Sequence, residues 1–172
     1  LRRTLPVPAD HPARRASRAR VGVRPFVPGR DEAAWIRANN RSFAEHADQG
    51  RETDATLADR MAEPWFDPGD FLVSDDTQRP GELAGFCWTK VHPATADDPE
   101  IGEIYVIGVD PANAGRGFGT PLVLAGLDHL AAKGIGVANL YVDADNAPAR
   151  RLYDRLGFAI HTRRRVYTRT AP

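Results

Sequence analysis

The segment VDPANAGRGFGTPLVLAGLDHLAAKG, residues 109–134, decides the fold because a glycine-rich turn runs directly into an apolar helical pattern. The apolar positions at helical spacing are Val123, Leu127 and Leu130. They predict a helix over residues 120–133 that buries one face. The first amides of a helix lack intrahelical acceptors, and glycines before them let an anion approach the backbone closely. The pattern indicates a phosphate cradle, with a plain tight loop as the alternative.

Two other nucleotide-binding motifs do not fit this turn. Its glycines, at positions 115, 117 and 119, form G-x-G-x-G rather than G-x-G-x-x-G, and no Gly-Lys-Ser/Thr follows. Neither a dinucleotide-binding domain nor a nucleoside triphosphatase is favoured.

Strand-like and helix-like runs alternate outward from this segment. Strands are predicted at 21–27, 71–75, 82–92, 101–110 and 136–143, with one or two more in 159–169. Helices are predicted at 29–43, at 52–64 with Thr53 or Asp54 as the N-cap, at 120–133, and at 147–156 with Asn146 as the N-cap. This order predicts an α/β (α+β) fold in which helices cover the faces of a mixed sheet.

The composition indicates one globular domain and excludes several classes of protein. The 172 residues carry 23 basic and 23 acidic side chains, so no net charge attracts nucleic acid or a membrane. The single cysteine, Cys87, excludes an internal disulfide, and we expect it to be buried and inert. No apolar run approaches the roughly 20 residues that span a bilayer. The five histidines lack metal-ligand spacing, so we predict no metal and a cytoplasmic protein.

The first residues differ from the rest in charge. Residues 1–30 contain eight arginines against one acid, Asp10, together with several prolines. This composition predicts a flexible linker over residues 1–19 and a single domain over residues 20–172. A basic arm that grips phosphate is the alternative. The chain begins with Leu1 rather than methionine, which favours a processed or truncated boundary.

Two motifs resemble signatures of the GNAT acetyltransferases: GVDPANAGRGFGTPLV at 108–123 and DNAPARRLYDRLGF at 145–158. Further segments, among them NNRSFAEHADQG, AEPWFDP and GFCWTKVHP, resemble the catalytic half of the mycothiol synthase family. The resemblance implies a twisted mixed sheet of about six to seven strands flanked by helices, whose central parallel strands separate to admit acetyl-CoA. Mycothiol synthases contain two GNAT repeats, so it also implies a second repeat that this chain does not include.

The resemblance implies which residues contact acetyl-CoA. They are Ile107, Gly108, Val109, Ala114, Gly115, Arg116, Gly117, Phe118, Gly119, Thr120, Asn146, Ala147, Pro148, Ala149, Arg150 and Arg151. The family's Gln or Arg at the first position of the loop is replaced here by Ala114, which removes a side-chain contact to the diphosphate. We expect Arg116 to compensate.

The resemblance also implies the catalytic residues. Glu103 lies in an apolar strand, where the residues alone leave a solvated strand-end glutamate as the alternative. The resemblance makes Glu103 the general base that removes the proton of an ammonium group. At ~3.3 Å per residue it lies ~13 Å along the strand from Ile107, which favours a water relay. Tyr153, a packing tyrosine by pattern alone, becomes the general acid that protonates the departing CoA thiolate.

The matching substrate contacts are Asp48, Lys90, Glu103 and Tyr141, with Asp48 one methylene shorter than the family's glutamate. The implied reaction is acetylation of the cysteine amine of cysteinyl-glucosaminyl-inositol, a small-molecule substrate. A GNAT enzyme for another small amine or a peptide N-terminus is the first alternative. A non-catalytic acyl-CoA-binding module is the second.

Overall fold

The computed structural model describes residues 2–6, 21–46, 49–96 and 99–163. Seven strands form one mixed sheet in the order β2-β3-β4-β5-β6-β1-β7. The strands are β1 Arg2–Pro6, β2 Val23–Pro25, β3 Phe71–Asp75, β4 Leu83–His92, β5 Ile101–Val109, β6 Val137–Tyr141 and β7 Ala159–Thr162. The helices are α1 Glu32–Ser42, α2 Asp54–Met61, α3 Gly119–Ala132 and α4 Ala147–Arg155, with short 3₁₀ turns at Pro68–Asp70 and Pro111–Asn113. The predicted fold class is confirmed.

The helices begin where their capping residues predict. Thr53 caps α2, and its side chain accepts a hydrogen bond from the amide of Thr56. Asn146 caps α4 by accepting from the amide of Ala149. Glycine 157 follows α4 with a φ of 89°, a left-handed conformation that glycine adopts without a Cβ clash. None of the helices in the described ranges is both long and apolar enough to cross a membrane.

The antiparallel pair of β4 and β5 contains a β-bulge. Trp88 pairs with Val106 and the next residue, Thr89, pairs with Ile104, so Tyr105 is an extra residue on β5. The bulge places Tyr105 and Val106 next to the same apolar cluster, which lies on the α1 side of the sheet. Strict alternation along the strand would have placed them on opposite faces.

A gap opens between the two central parallel strands. The last parallel pair is Ile104 with Leu140, although β5 continues to Val109 and β6 to Tyr141. Among the described residues, the edge of β5 over 105–109 that faces β6 has no strand partner. The gap therefore begins at the bulge, as the resemblance predicts.

Two apolar clusters pack on the two faces of the sheet. The cluster on the face covered by α3 and α4 includes Leu122, Leu127, Leu130, Leu140, Tyr153 and Phe158. The opposite cluster is aromatic and includes Phe26, Trp35, Phe71, Phe86 and Trp88. Phe71 stacks on Trp88 with ring centroids 4.3 Å apart, and α1 covers this face through Trp35.

The first residues differ from the sequence prediction. Arg2–Pro6, expected within a flexible linker, form β1, which pairs antiparallel with both β6 and β7. Their backbone groups complete the hydrogen bonding of the β6 edge, a contribution that composition does not reveal. The rest of the predicted linker, residues 7–19, and the predicted tail strand beyond residue 163 lie outside the described residues.

Candidate functional site

The turn after β5 leaves backbone donors available at the start of α3. Gly115 and Gly117 have φ values of 74° and 82°, which turn successive peptide groups in opposite directions. In the described part of the chain, the amides of Gly115, Gly117 and Phe118 have no backbone acceptor. Phe118, the N-cap of α3, caps the helix with no side-chain hydrogen bond. This arrangement suits an anion that accepts several N–H groups at a positive helix end.

Arg116 is exposed and lies along the turn. Its Nη1 donates to Asn113 Oδ1 at 2.7 Å, and its guanidinium lies 5.9 Å from the ring centroid of Phe118. No side chain replaces the missing contact at Ala114 in this arrangement, so compensation by Arg116 stays a prediction.

A buried charge network holds this turn in place. Asp110 accepts from Arg41 Nε at 2.7 Å and from Arg79 Nη2 at 2.9 Å. Asp76 accepts from Asn113 Nδ2 at 2.8 Å and also pairs with Arg79. Burial opposes ionisation of Asp110, but the donors from Arg41, the Ala112 amide and Arg79 outweigh it and lower its pKa. The network ties the turn to α1 and to the β3–β4 hairpin.

We expect this network to make stability sensitive to acid. The hydrogen bond from Asn113 is the largest cause that lowers the pKa of Asp76 below its ordinary 3.8. The unfolded chain therefore takes up the proton first as the pH falls, so stability present above pH ~4 is lost as the pH drops toward the folded pKa. Urea unfolding measured at pH ~6 and at pH ~3.5 should show a smaller loss for Asp76→Asn than for the wild type. Asp59→Asn, at an exposed position on α2, should keep the full loss; equal losses in all three proteins would contradict the assignment.

The wall of the gap is formed by the last residues of β5. Ile107 is partly buried against the α3 side of the sheet. Gly108 packs so closely that a Cβ atom there would lie 2.5 Å from the ring of Phe86. The carbonyl of Val109 accepts a hydrogen bond from the hydroxyl of Ser42 at 3.0 Å. The main chain, rather than large side chains, therefore borders the gap.

Glu103 lies on β5 just before the bulge, on the α1 side of the sheet. It is 8 % exposed, and its cross-strand neighbour is Lys90. Its Oε2 lies 2.6 Å from Nε2 of His92. The sequence analysis assigned His92 no role, although its position two residues after Lys90 places both on one face of β4.

Lys90 is held by aromatic rings beside a small cavity. Its Nζ lies 4.1 Å from the ring centroid of Trp65 and 5.6 Å from that of Tyr105. The adjoining cavity of about 100 Å³ is lined by Asn39, Gln49, Glu52, Arg60, Tyr105 and Val106. Glu52 is buried and pairs with Arg60. The sequence analysis missed this cavity because its walls come from α1, α2 and the bulge.

Tyr153 lies on the other face of the sheet. It is buried in α4, and its ring makes an edge contact with Phe158 at 5.6 Å between centroids. Glu103 and Tyr153 thus belong to opposite faces, and the gap between β5 and β6 is the opening through which one reactant could reach both.

The remaining predicted residues lie around the gap, and their roles stay predictions. Ala147, Pro148 and Arg151 are exposed or half-buried at the start of α4, while Arg150 donates to the carbonyl of Ala144. His46 Nε2 lies 2.9 Å from Asp143 Oδ2, which joins the end of α1 to the loop after β6. Tyr141 is 49 % exposed on β6. Asp48 lies outside the described residues.

Cys87 is buried, and burial raises the pKa of its thiol to about 12, which leaves it unreactive. Within the described ranges, no group of three His, Cys, Asp or Glu side chains is arranged to hold a metal ion.

Comparison with known proteins identifies relatives of this chain. It is 47 % identical over 158 residues to a mycothiol acetyltransferase of Kocuria rhizophila, covering 92 % of this chain and 52 % of that protein. It is 51 % identical over 160 residues to a mycothiol acetyltransferase of Acidimicrobium ferrooxidans, covering 93 % of this chain and 50 % of that protein. The chain thus spans about half the length of these curated relatives.

Solved structures share the fold. A GCN5-related N-acetyltransferase from Sphaerobacter thermophilus aligns with a TM-score of 0.69 at 25 % identity, over 93 % of this chain and 47 % of that one. The ribosomal-protein-S18-alanine N-acetyltransferase from Escherichia coli aligns with a TM-score of 0.64 at 26 % identity, over 87 % and 84 %. The profile of the acetyltransferase (GNAT) family matches residues 34–158. This chain therefore belongs to the acetyltransferase (GNAT) family.

Proposed function

We propose that the chain is an acetyl-CoA-dependent N-acetyltransferase of the mycothiol acetyltransferase type. Its acceptor would be the cysteine amine of cysteinyl-glucosaminyl-inositol. The observation that carries the proposal is the uncapped start of α3, with free backbone donors in the turn after β5, next to a gap between two parallel strands. The relatives named mycothiol acetyltransferase support the choice of acceptor.

Acetyl-CoA fits this site in two parts. The diphosphate would accept hydrogen bonds from the turn and the first residues of α3, over 114–120. The pantetheine and acetyl group would lie along the gap beside Ile107, Gly108 and Val109, where the unpaired edge of β5 offers backbone groups. The loop before α4 would border the cofactor from the β6 side, although the amide of Ala149 is already bonded to Asn146.

The catalytic steps follow from charge and position. Glu103 would take the proton of the acceptor ammonium, directly or through water, and leave a neutral amine. The amine nitrogen attacks the thioester carbonyl, and the carbon–sulfur bond breaks as the intermediate collapses. Tyr153 would give its hydroxyl proton to the departing thiolate. Lys90, Asp48 and Tyr141 would contact the acceptor.

The curated relatives are about twice as long as this chain, so we propose a second GNAT repeat as its partner. That repeat would complete the wall around the acceptor. We also propose a cytoplasmic location, because a single buried thiol suits a reducing compartment.

A peptide amino terminus is the second candidate acceptor. The similarity to the Escherichia coli ribosomal-protein-S18-alanine N-acetyltransferase favours it over other amines. Both acceptors present a primary amine, so the acyl chemistry would be the same.

Mass spectrometry of products tests the proposal. The purified chain is incubated with acetyl-CoA and cysteinyl-glucosaminyl-inositol, and in parallel with glucosaminyl-inositol and an alanine-terminated peptide. We expect one acetyl group on the cysteine nitrogen of the first acceptor and none on glucosaminyl-inositol, which lacks that amine. Acetylation of the peptide alone would favour the second candidate. No acetylated product with any amine would contradict the transferase assignment.

The role of the turn can be tested by Gly117→Ala. A side chain at its φ of 82° is strained by about 1–2 kcal/mol, and relief of this strain would rotate the amides of the turn. We expect acetyl-CoA affinity, measured by calorimetric titration, to fall by about 10-fold. Gly29→Ala is the matched control, because Gly29 has the same φ of 82°, open space around its Cα, and a position remote from the turn. An equal loss of affinity in both variants would contradict the assignment.

A further inference from the structure

The buried carboxylate of Glu103 has a partner that the proposed mechanism does not use. His92 Nε2 lies 2.6 Å from Glu103 Oε2, within hydrogen-bonding distance. The side chain of His92 is 43 % exposed, whereas that of Glu103 is 11 % exposed. The register of β4 and β5 creates the contact, since Lys90 pairs with Glu103 and His92 pairs with Ile101 on the same face.

We propose that His92 is a positioning residue for Glu103 in acetyl transfer; this inference rests on the proposed function. An ionised carboxylate can only accept hydrogen bonds, so the hydrogen in this contact belongs to Nε2 of the imidazole. The donation to Oε2 fixes the rotation of the carboxylate and leaves Oε1 for the acceptor amine or a bridging water. The proton released by the acceptor's ammonium goes to Glu103, and His92 neither gains nor loses a proton in this step.

The position of Lys90 explains why a histidine suits this role. Lys90 is the nearest cross-strand cation, but its Nζ lies over the rings of Trp65 and Tyr105. Within the described residues, no ion pair joins Lys90 to Glu103. A permanent ammonium charge on the carboxylate would oppose its protonation, which is the step a general base must perform. A neutral imidazole orients the carboxylate without adding such a charge.

A purely structural role fits His92 less well. Its ring lies at the end of β4, is largely open to solvent, and belongs to neither apolar cluster. Removing the ring therefore forfeits little apolar burial. Its described side-chain contact is the one with Glu103, which is the residue proposed to touch the acceptor.

Two substitutions separate the donor from the ring. His92→Gln keeps an N–H donor near the position of Nε2, and His92→Met fills similar space without a donor. In the whole 172-residue chain, we expect His92→Met to lower kcat by about 10-fold with the Kd for acetyl-CoA unchanged. His92→Gln should retain kcat within about 3-fold of the wild type.

A double-mutant cycle with Glu103→Gln completes the test. If His92 acts through Glu103, His92→Met should cause no further loss of kcat once Glu103 is replaced. An equal loss in both backgrounds, or an unchanged kcat for His92→Met in an active wild type, would overturn this inference alone. A wild-type chain that acetylates no amine would overturn the proposed function and this inference with it.

Discussion

Glu103→Gln is expected to lower kcat for acetyl transfer by about 100- to 10,000-fold, the range typical of a lost general base. The amide keeps the size of the side chain and can still contact His92 Nε2, but it cannot take a proton from the acceptor. The measurement is steady-state release of CoA at neutral pH with saturating acetyl-CoA and the acceptor. Glu100→Gln, one residue before β5 and exposed, is the matched control and should keep wild-type kcat.

The pH dependence distinguishes a lost base from a damaged site. At high pH the acceptor amine is already neutral, so kcat/KM of Glu103→Gln should rise toward that of the wild type. A variant with a distorted site would stay slow at every pH. Wild-type kcat in Glu103→Gln at neutral pH would remove Glu103 from the mechanism.

Tyr153→Phe is expected to lower kcat by about 100-fold, because the thiolate would leave without a proton donor. The phenyl ring keeps the edge contact with Phe158, so the affinity for acetyl-CoA and the thermal stability should change little. Single-turnover kinetics with quenched samples measures the acyl-transfer step itself, and calorimetric titration measures binding.

The comparison of these two readouts tests the role of Tyr153. A loss of kcat together with an equal loss of acetyl-CoA affinity would indicate damaged packing rather than a missing acid. An unchanged rate of acyl transfer would leave Tyr153 as a packing residue of the α3–α4 face.

Local signals in the sequence predicted much of the fold. The caps at Thr53 and Asn146 lie where predicted, since capping depends on residues three apart in the chain. Helix α3, predicted over 120–133, runs over Gly119–Ala132. The separation of β5 and β6 was predicted by the resemblance and not by the residues alone.

The bulge at Tyr105 was not predicted because it depends on pairing with β4. Nothing in the sequence of β5 marks an extra residue, and alternation alone would have grouped Val106 with Ile104. The same holds for the charge network of the turn. Arg41 and Asp110 are 69 residues apart, and only the packing of α1 against the end of β5 brings them together.

The contact between His92 and Glu103 was accessible in principle. Once the hairpin register is known, both side chains must project from one face of neighbouring strands. The sequence analysis considered the histidines as metal ligands and did not compare them with the strand opposite. The site residues on β5 were thus identified by motif, and their partners by topology.

The bulge at Tyr105 constrains how relatives of this chain can diverge. Loss of that one residue would rotate the rest of β5 by half a pleat, and Gly108 would no longer be the residue that meets Phe86. A larger side chain would then be forced against that ring. Homologues should therefore vary freely in side chains along this strand while keeping the number of residues from Glu103 to Gly108 constant, so its length is inherited more strictly than its letters.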